Sequence, residues 1–295
     1  MSAQQFFYTE DGALRGGWRI IAFFVASSVA TLVAASFAGP LVSMGLEAAN
    51  LRGLSNQYVV ELIGLIAGTA FVLQVIDKRP WRDVWLGRDA LRPAMVILGF
   101  AVGALAIGLP ILSLIEVGWL REAAGPAGAW SGAALRVSLM LLPAALVEEL
   151  LTRGYVLSVL RESWGWTAAI VLTSVVFGLI HLENNGVNVM SVSLVIVAGF
   201  FLAVVVYVTK SLYAAWMAHF AWNWTMAVLF HTAVSGYPLE SPSYRYVDAG
   251  PDWATGGEWG PEGGLPAGLG MGAGMGVLFF VKRRGDRSRL KESVR

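Results

Sequence analysis

The 295-residue chain has no cysteine, only three histidines and 14% charged residues, against about 25% charged in an ordinary soluble domain. The missing thiols exclude disulfides, cysteine nucleophiles and thiolate metal ligands together. The scarcity of charge points to lipid as the surrounding solvent. A net charge of +1 leaves no basic footprint, so nucleic acid is not an expected partner. No internal repeat stands out, which weighs against transporter folds built from duplicated halves. No Ser-, Pro- or charge-rich linker divides the chain, so residues 1–295 read as a single integral membrane domain.

What is present is apolar. Hydrophobic residues make up 56% of the sequence, in runs that recur from residue 20 to residue 281 with short polar breaks. With about 20 apolar residues needed per helical crossing, the runs predict eight spans. These are roughly Ile20 to Ala38, Tyr58 to Ile76, Ala94 to Ile115, Val137 to Leu160, Gly165 to His181, Val187 to Val208, Leu212 to Phe230, and Leu265 to Val281. The last is glycine-rich ("GLGMGAGMG"), a composition that permits close helix approach. The expected fold class is all-α, a polytopic transmembrane helical bundle.

Lys and Arg accumulate on the cytoplasmic side of membrane proteins, and with eight spans and a cytoplasmic N-terminus the count is lopsided. The inner segments hold 16 of the 21 basic residues: Arg15, Arg19, the five of "DKRPWRDVWLGRDALR", Arg161, Lys210 and the seven of the basic tail 282–295. The outer loops hold three, Arg52, Arg121 and Arg245, while Arg136 and Arg153 belong to the fourth span. Both termini are therefore expected in the cytoplasm. The loop from His231 to Gly264 is acidic (Glu240, Asp248, Asp252, Glu258, Glu262) and expected outside. Its tryptophans, like Trp18, Trp81 and Trp85, read as interfacial anchors.

The fourth span carries "EELLTR" inside a run that is otherwise apolar. A lone charge at membrane depth costs at least about 2.5–3.5 kcal/mol. Positions four apart share a helix face, so Glu149 and Arg153 can pair, while Glu148 points about 100° away and is left for another task. Pro143, five residues earlier, removes a backbone donor and predicts a kink near the acid. Two of the three histidines also fall in expected spans, His181 in "VVFGLIHLENN" and His219 in "AAWMAHFAWNW". Phe177 and His181 share a face, as do His219 and Asn223. The third, His231, closes the seventh span as an interface residue. Counting from the inner ends of the spans sets His181 deeper than Glu148 and His219; a fifth helix beginning near Ala169 narrows that gap, and tilt would close the rest.

EExxxR (Glu148 to Arg153), then FxxxH (Phe177 to His181), then HxxxN (His219 to Asn223), in that order, resemble the CPBP family of intramembrane proteases. That family includes Rce1-type CAAX prenyl endopeptidases and bacterial relatives, some linked to bacteriocin self-immunity. The motifs lie within a core of about residues 137–230. The resemblance implies peptide-bond hydrolysis at the membrane on a membrane-tethered peptide or protein. It assigns Glu148 as the base that activates water with His181 beside it, His219 and Asn223 as an oxyanion site or metal ligands, and Glu149, Arg153 and Phe177 as supports. These residue types suit the chemistry, since a carboxylate accepts a proton and donors stabilise developing negative charge. Glu148, His181 and His219 would also make a zinc set with an open fourth position, so the site is expected to be able to bind zinc, with a metal-free oxyanion site as the alternative. Two further readings stay open: a non-catalytic immunity or scaffold protein, and a proton-coupled transporter, in which Glu61 of the second span would take part. The expected location is a bacterial plasma membrane.

Overall fold

The computed structural model describes residues 3–49, 51 and 56–293. Arg52, counted above with the outer loops, and Arg295 of the basic tail lie outside the described residues. In chain order the elements are α1 (Ala3–Phe7), α2 (Gly16–Ala48), α3 (Gln57–Phe71), α4 (Pro93–Glu116), β1 (Leu120–Ala124), α5 (Trp130–Glu149), α6 (Tyr155–Leu179), α7 (Val189–Thr209), α8 (Leu212–Trp224), β2 (Tyr244–Asp248), α9 (Asp252–Thr255) and α10 (Leu265–Ser293). Wide π turns extend α3 over Val72–Ile76, join α5 to α6 over Leu150–Gly154 and extend α8 over Thr225–Leu229.

Among the described residues, five helices are long and apolar enough to cross a membrane: Gly16–Ala48, Gln57–Ile76, Pro93–Glu116, Val189–Thr209 and Leu265–Arg287. They match the first, second, third, sixth and eighth expected spans. The other three are helical but interrupted. α5 carries Arg136, Glu148 and Glu149 within 20 residues. α6 breaks at Gly165, whose φ of +81° leaves the right-handed helical region, and α8 has only 13 residues before its π turn. The fifth helix therefore resumes just after Gly165, not near Ala169, and it ends at Leu179, so His181 lies beyond the helix that was expected to contain it. α5 runs through Pro143, and the irregularity falls downstream at Leu150–Gly154. One lost donor does not end this helix.

The all-α expectation needs a correction. β1 and β2 pair antiparallel, from Leu120 opposite Asp248 to Ala124 opposite Tyr244. Both strands lie in connections between apolar helices, where the backbone must find partners of its own, and the "YRYV" run of β2 suits a half-buried ribbon.

The chain divides into two compact units, Met1–Leu91 with Ser138–Thr173 and Arg92–Val137 with Ser174–Arg295. In the first, α2 and α3 form a hairpin closed by Asn56, whose Nδ2 donates to the Gly39 carbonyl at 3.1 Å and to Ser43 Oγ at 2.8 Å. Arg19 and Arg79 are neutralised locally. Arg19 pairs with Asp77 at 2.5 Å and Glu162 at 2.9 Å, Arg79 pairs with Glu162, and the Tyr155 hydroxyl donates to Asp77 at 2.8 Å. Trp85 is buried beside Trp166 with the Arg161 guanidinium over both rings.

In the second unit α4 packs on α8 through Gly99 and Gly103. A Cβ at either position would run into the backbone carbonyls of Ala214 and Ala218, so only glycine allows this approach. Arg92 donates to the Thr209 carbonyl, which ties the start of α4 to the end of α7. Trp259, expected as an interfacial anchor, is instead fully buried in this unit, held among glycines that let the backbone fold around it.

Gly103→Val is expected to lower the thermal unfolding midpoint of the detergent-solubilised protein, an overpacking cost of about 1–3 kcal/mol. Gly276→Ala is the control: a Cβ there meets nothing within 4 Å, and its midpoint should not fall.

Candidate functional site

The EExxxR charges sit at a single distorted turn. Glu149 ends α5, and its Oε1 lies 3.2 Å from Arg153 Nη1 with both side chains fully buried. Arg153 Nη1 also donates to Thr152 Oγ1 at 2.7 Å, and that hydroxyl donates to the Glu148 carbonyl at 2.7 Å. The pair and the hydroxyl together fix the π turn and, with it, the backbone that carries Glu148. Glu148 itself is half-buried. Glu148, Glu149 and Arg153 all belong to the first unit.

The other motifs meet in the second unit. His181 follows the end of α6, and its Nδ1 lies 2.7 Å from the Phe177 carbonyl. A carbonyl only accepts, so Nδ1 carries a proton and donates it to this carbonyl. Phe177 is buried between the two imidazoles, its ring centroid 4.9 Å from that of His181 and 5.9 Å from that of His219, the latter edge to face. His219, 7% exposed, stands on α8 one turn before Asn223. The side-chain oxygen of Ser211 caps α8 by accepting from Ala214 N. Phe177, His181, His219 and Asn223 line one cavity of about 30 Å³ together with Trp222, Ser235 and Glu262. That is space for a water molecule.

Glu262 was missed as a site residue; the sequence placed it among the acids of an outer loop. Its carboxylate is 9% exposed and accepts from Trp222 Nε1 at 2.8 Å, from Ser235 N at 2.6 Å and from Ser235 Oγ at 2.7 Å. The available signal was local: "GGEWGPEGGLP" sets an acid between glycines that tolerate unusual backbone angles, directly before an apolar helix. His231 is no simple interface residue either. It is buried, stacked on Tyr244 at 4.5 Å, with Nδ1 2.6 Å from the Tyr244 carbonyl.

Among the described residues no three His, Asp or Glu side chains gather in a way that could hold a metal ion. Glu148 belongs to the first unit and both histidines to the second, and no step is derived through a metal. Glu61, the acid considered for a proton path, accepts from Gln57 Nε2 at 2.9 Å on its own helix.

Residues 130–225 match the family model described as type II CAAX prenyl endopeptidase, Rce1-like. The motif-bearing segment is Rce1-like. Comparison with curated proteins and with solved structures gave no match. The Rce1-like segment is about a third of the chain and contains all three motifs, whereas Ser235 and Glu262 lie past its end. It supports a protease of the CAAX type in an integral membrane protein, acting on a membrane-associated peptide.

Arg153→Met should destabilise the protein by roughly 3–5 kcal/mol, because it leaves Glu149 buried without its countercharge. The double variant Glu149→Gln/Arg153→Met should recover much of that loss. Thermal unfolding of the three proteins in one detergent gives the comparison, and equal midpoints for the single and double variants would contradict it.

Proposed function

We propose that the chain is an intramembrane endopeptidase that hydrolyses a peptide bond of a membrane-tethered substrate by glutamate-dependent chemistry. The observation that carries this reading is the shared cavity of His181, His219 and Asn223, which unites two of the three motifs around space for one water. In the proposed reaction Glu148, assigned by its motif, takes a proton from the attacking water with His181 as its partner. The Asn223 amide and the His219 imidazole donate to the oxyanion as the carbonyl carbon becomes tetrahedral. Phe177 keeps the two rings apart and shields them, and the Glu149–Arg153 pair holds the turn next to the base.

The same reading places the protein in a bacterial plasma membrane with eight crossings and both termini in the cytoplasm. The lopsided distribution of Lys and Arg speaks for that topology, and five of the eight expected runs form long apolar helices among the described residues.

Glu148→Gln should lower turnover of a membrane-tethered reporter peptide by about 10²–10⁴-fold, and His219→Ala by about 10²–10³-fold, while both proteins still insert and extract normally. Cleavage products identified by mass spectrometry from proteoliposomes make the test. Wild-type turnover by either variant would end this reading, an intact phenotype with Glu148→Gln would favour a scaffold, and proton flux without cleavage would favour a transporter.

A further inference from the structure

We infer that Glu262 is a positioning residue of the histidine cavity, acting through Trp222 to set the face of α8 that carries His219 and Asn223. The inference rests on the protease reading for its consequence in turnover but not for its geometry. Trp222 directly precedes Asn223 and follows His219 by three residues, so rotation of the indole and rotation of this turn of α8 are coupled. Glu262 takes the indole N–H at 2.8 Å with one carboxylate oxygen and the Ser235 N–H and hydroxyl at 2.6 Å and 2.7 Å with the other. One carboxylate thereby joins α8 to the connection after it.

The delivery of Glu262 is built into the backbone. Gly256 and Gly260 have φ of +78° and +99°, and a Cβ on Gly260 would strike the Ala233 carbonyl. The Gly236 N–H donates to the Trp259 carbonyl at 2.9 Å, and Asn184 Nδ2 donates to the Ser235 carbonyl at 3.0 Å. These contacts hold residues 235 and 262 at the same wall of the cavity. A carboxylate is costly to bury, and a loop could be fastened by backbone bonds alone. Here the buried carboxylate instead lines the same 30 Å³ cavity as both histidines and the amide.

The test uses the full-length protein in proteoliposomes with the membrane-tethered reporter peptide. It compares wild type, Glu262→Gln, Glu262→Asp, Trp222→Phe and the control Glu258→Gln, whose side chain on the same loop is exposed. Misplacing the donors should lower kcat of Glu262→Gln about ten- to a hundredfold with little change in KM. Glu262→Asp should recover part of that loss, and Glu258→Gln should match wild type. Trp222→Phe keeps the ring, removes the N–H and should move kcat in the same direction, so the inference stays testable if one glutamate variant fails to fold. Carbethoxylation of His219 by diethyl pyrocarbonate, followed by mass spectrometry, reads the geometry without activity, and it should be several-fold faster in Glu262→Gln than in wild type. Wild-type kcat together with an unchanged His219 modification rate in Glu262→Gln would overturn the inference. If wild type cleaves nothing, the protease reading fails, and the modification rate alone decides the role of Glu262: faster supports it, unchanged removes it.

Discussion

Polar groups within an apolar bundle have no water to fall back on, and that constraint accounts for most of what this chain does with its few charges. An uncompensated charge at membrane depth costs at least about 2.5–3.5 kcal/mol. The buried Arg153 and Glu149 face each other across one turn, Arg19 is held by two carboxylates, and Glu262 accepts three donors. Each arrangement fixes a piece of backbone as well as a charge. The Glu149–Arg153–Thr152 chain sets the π turn beside Glu148, and the Glu262 knot ties the end of α8 to the loop before α10. Polar satisfaction and placement of the site residues are thus the same event in each unit.

The helices were legible because an apolar run long enough to cross a bilayer has few alternatives. Gly16–Ala48, Gln57–Ile76 and Pro93–Glu116 enclose their expected spans. The errors fall where a single residue overrules the average. The fifth helix begins after Gly165, close to its expected start, but stops at Leu179, two residues before the His181 that hydropathy included. The π turn at Leu150–Gly154 adds a residue to a turn without any compositional trace. The small β1–β2 sheet was invisible for a different reason: Leu120 to Ala124 and Tyr244 to Asp248 lie over a hundred residues apart, and neither strand alternates strongly enough to be read without its partner.

The site was legible to the extent that it lies on helices. Spacing of four brought Phe177 next to His181 and His219 next to Asn223, and the structure sets all four around one cavity. Spacing says nothing of a group that arrives from a loop 39 residues after Asn223. Glu262 looked like one of five acids in a solvated connection, since its burial depends on Gly256 and Gly260 turning the chain back and on Trp222 and Ser235 supplying donors. None of those dependences is periodic.

The same reasoning explains why this loop is rich in both glycine and tryptophan. Trp259 is fully buried in a segment with no room for side chains at the positions where the backbone crosses itself; a Cβ on Gly256 would meet the Gly260 carbonyl, and one on Gly264 the Ala254 carbonyl. Glycine permits the crossing but contributes no apolar surface, and an irregular loop of glycines alone would lose too much conformational entropy to stay ordered. A single large indole supplies the missing contact area at one position. With the loop ordered in this way, a carboxylate three residues later has a defined place to go, and it is the one that meets Trp222.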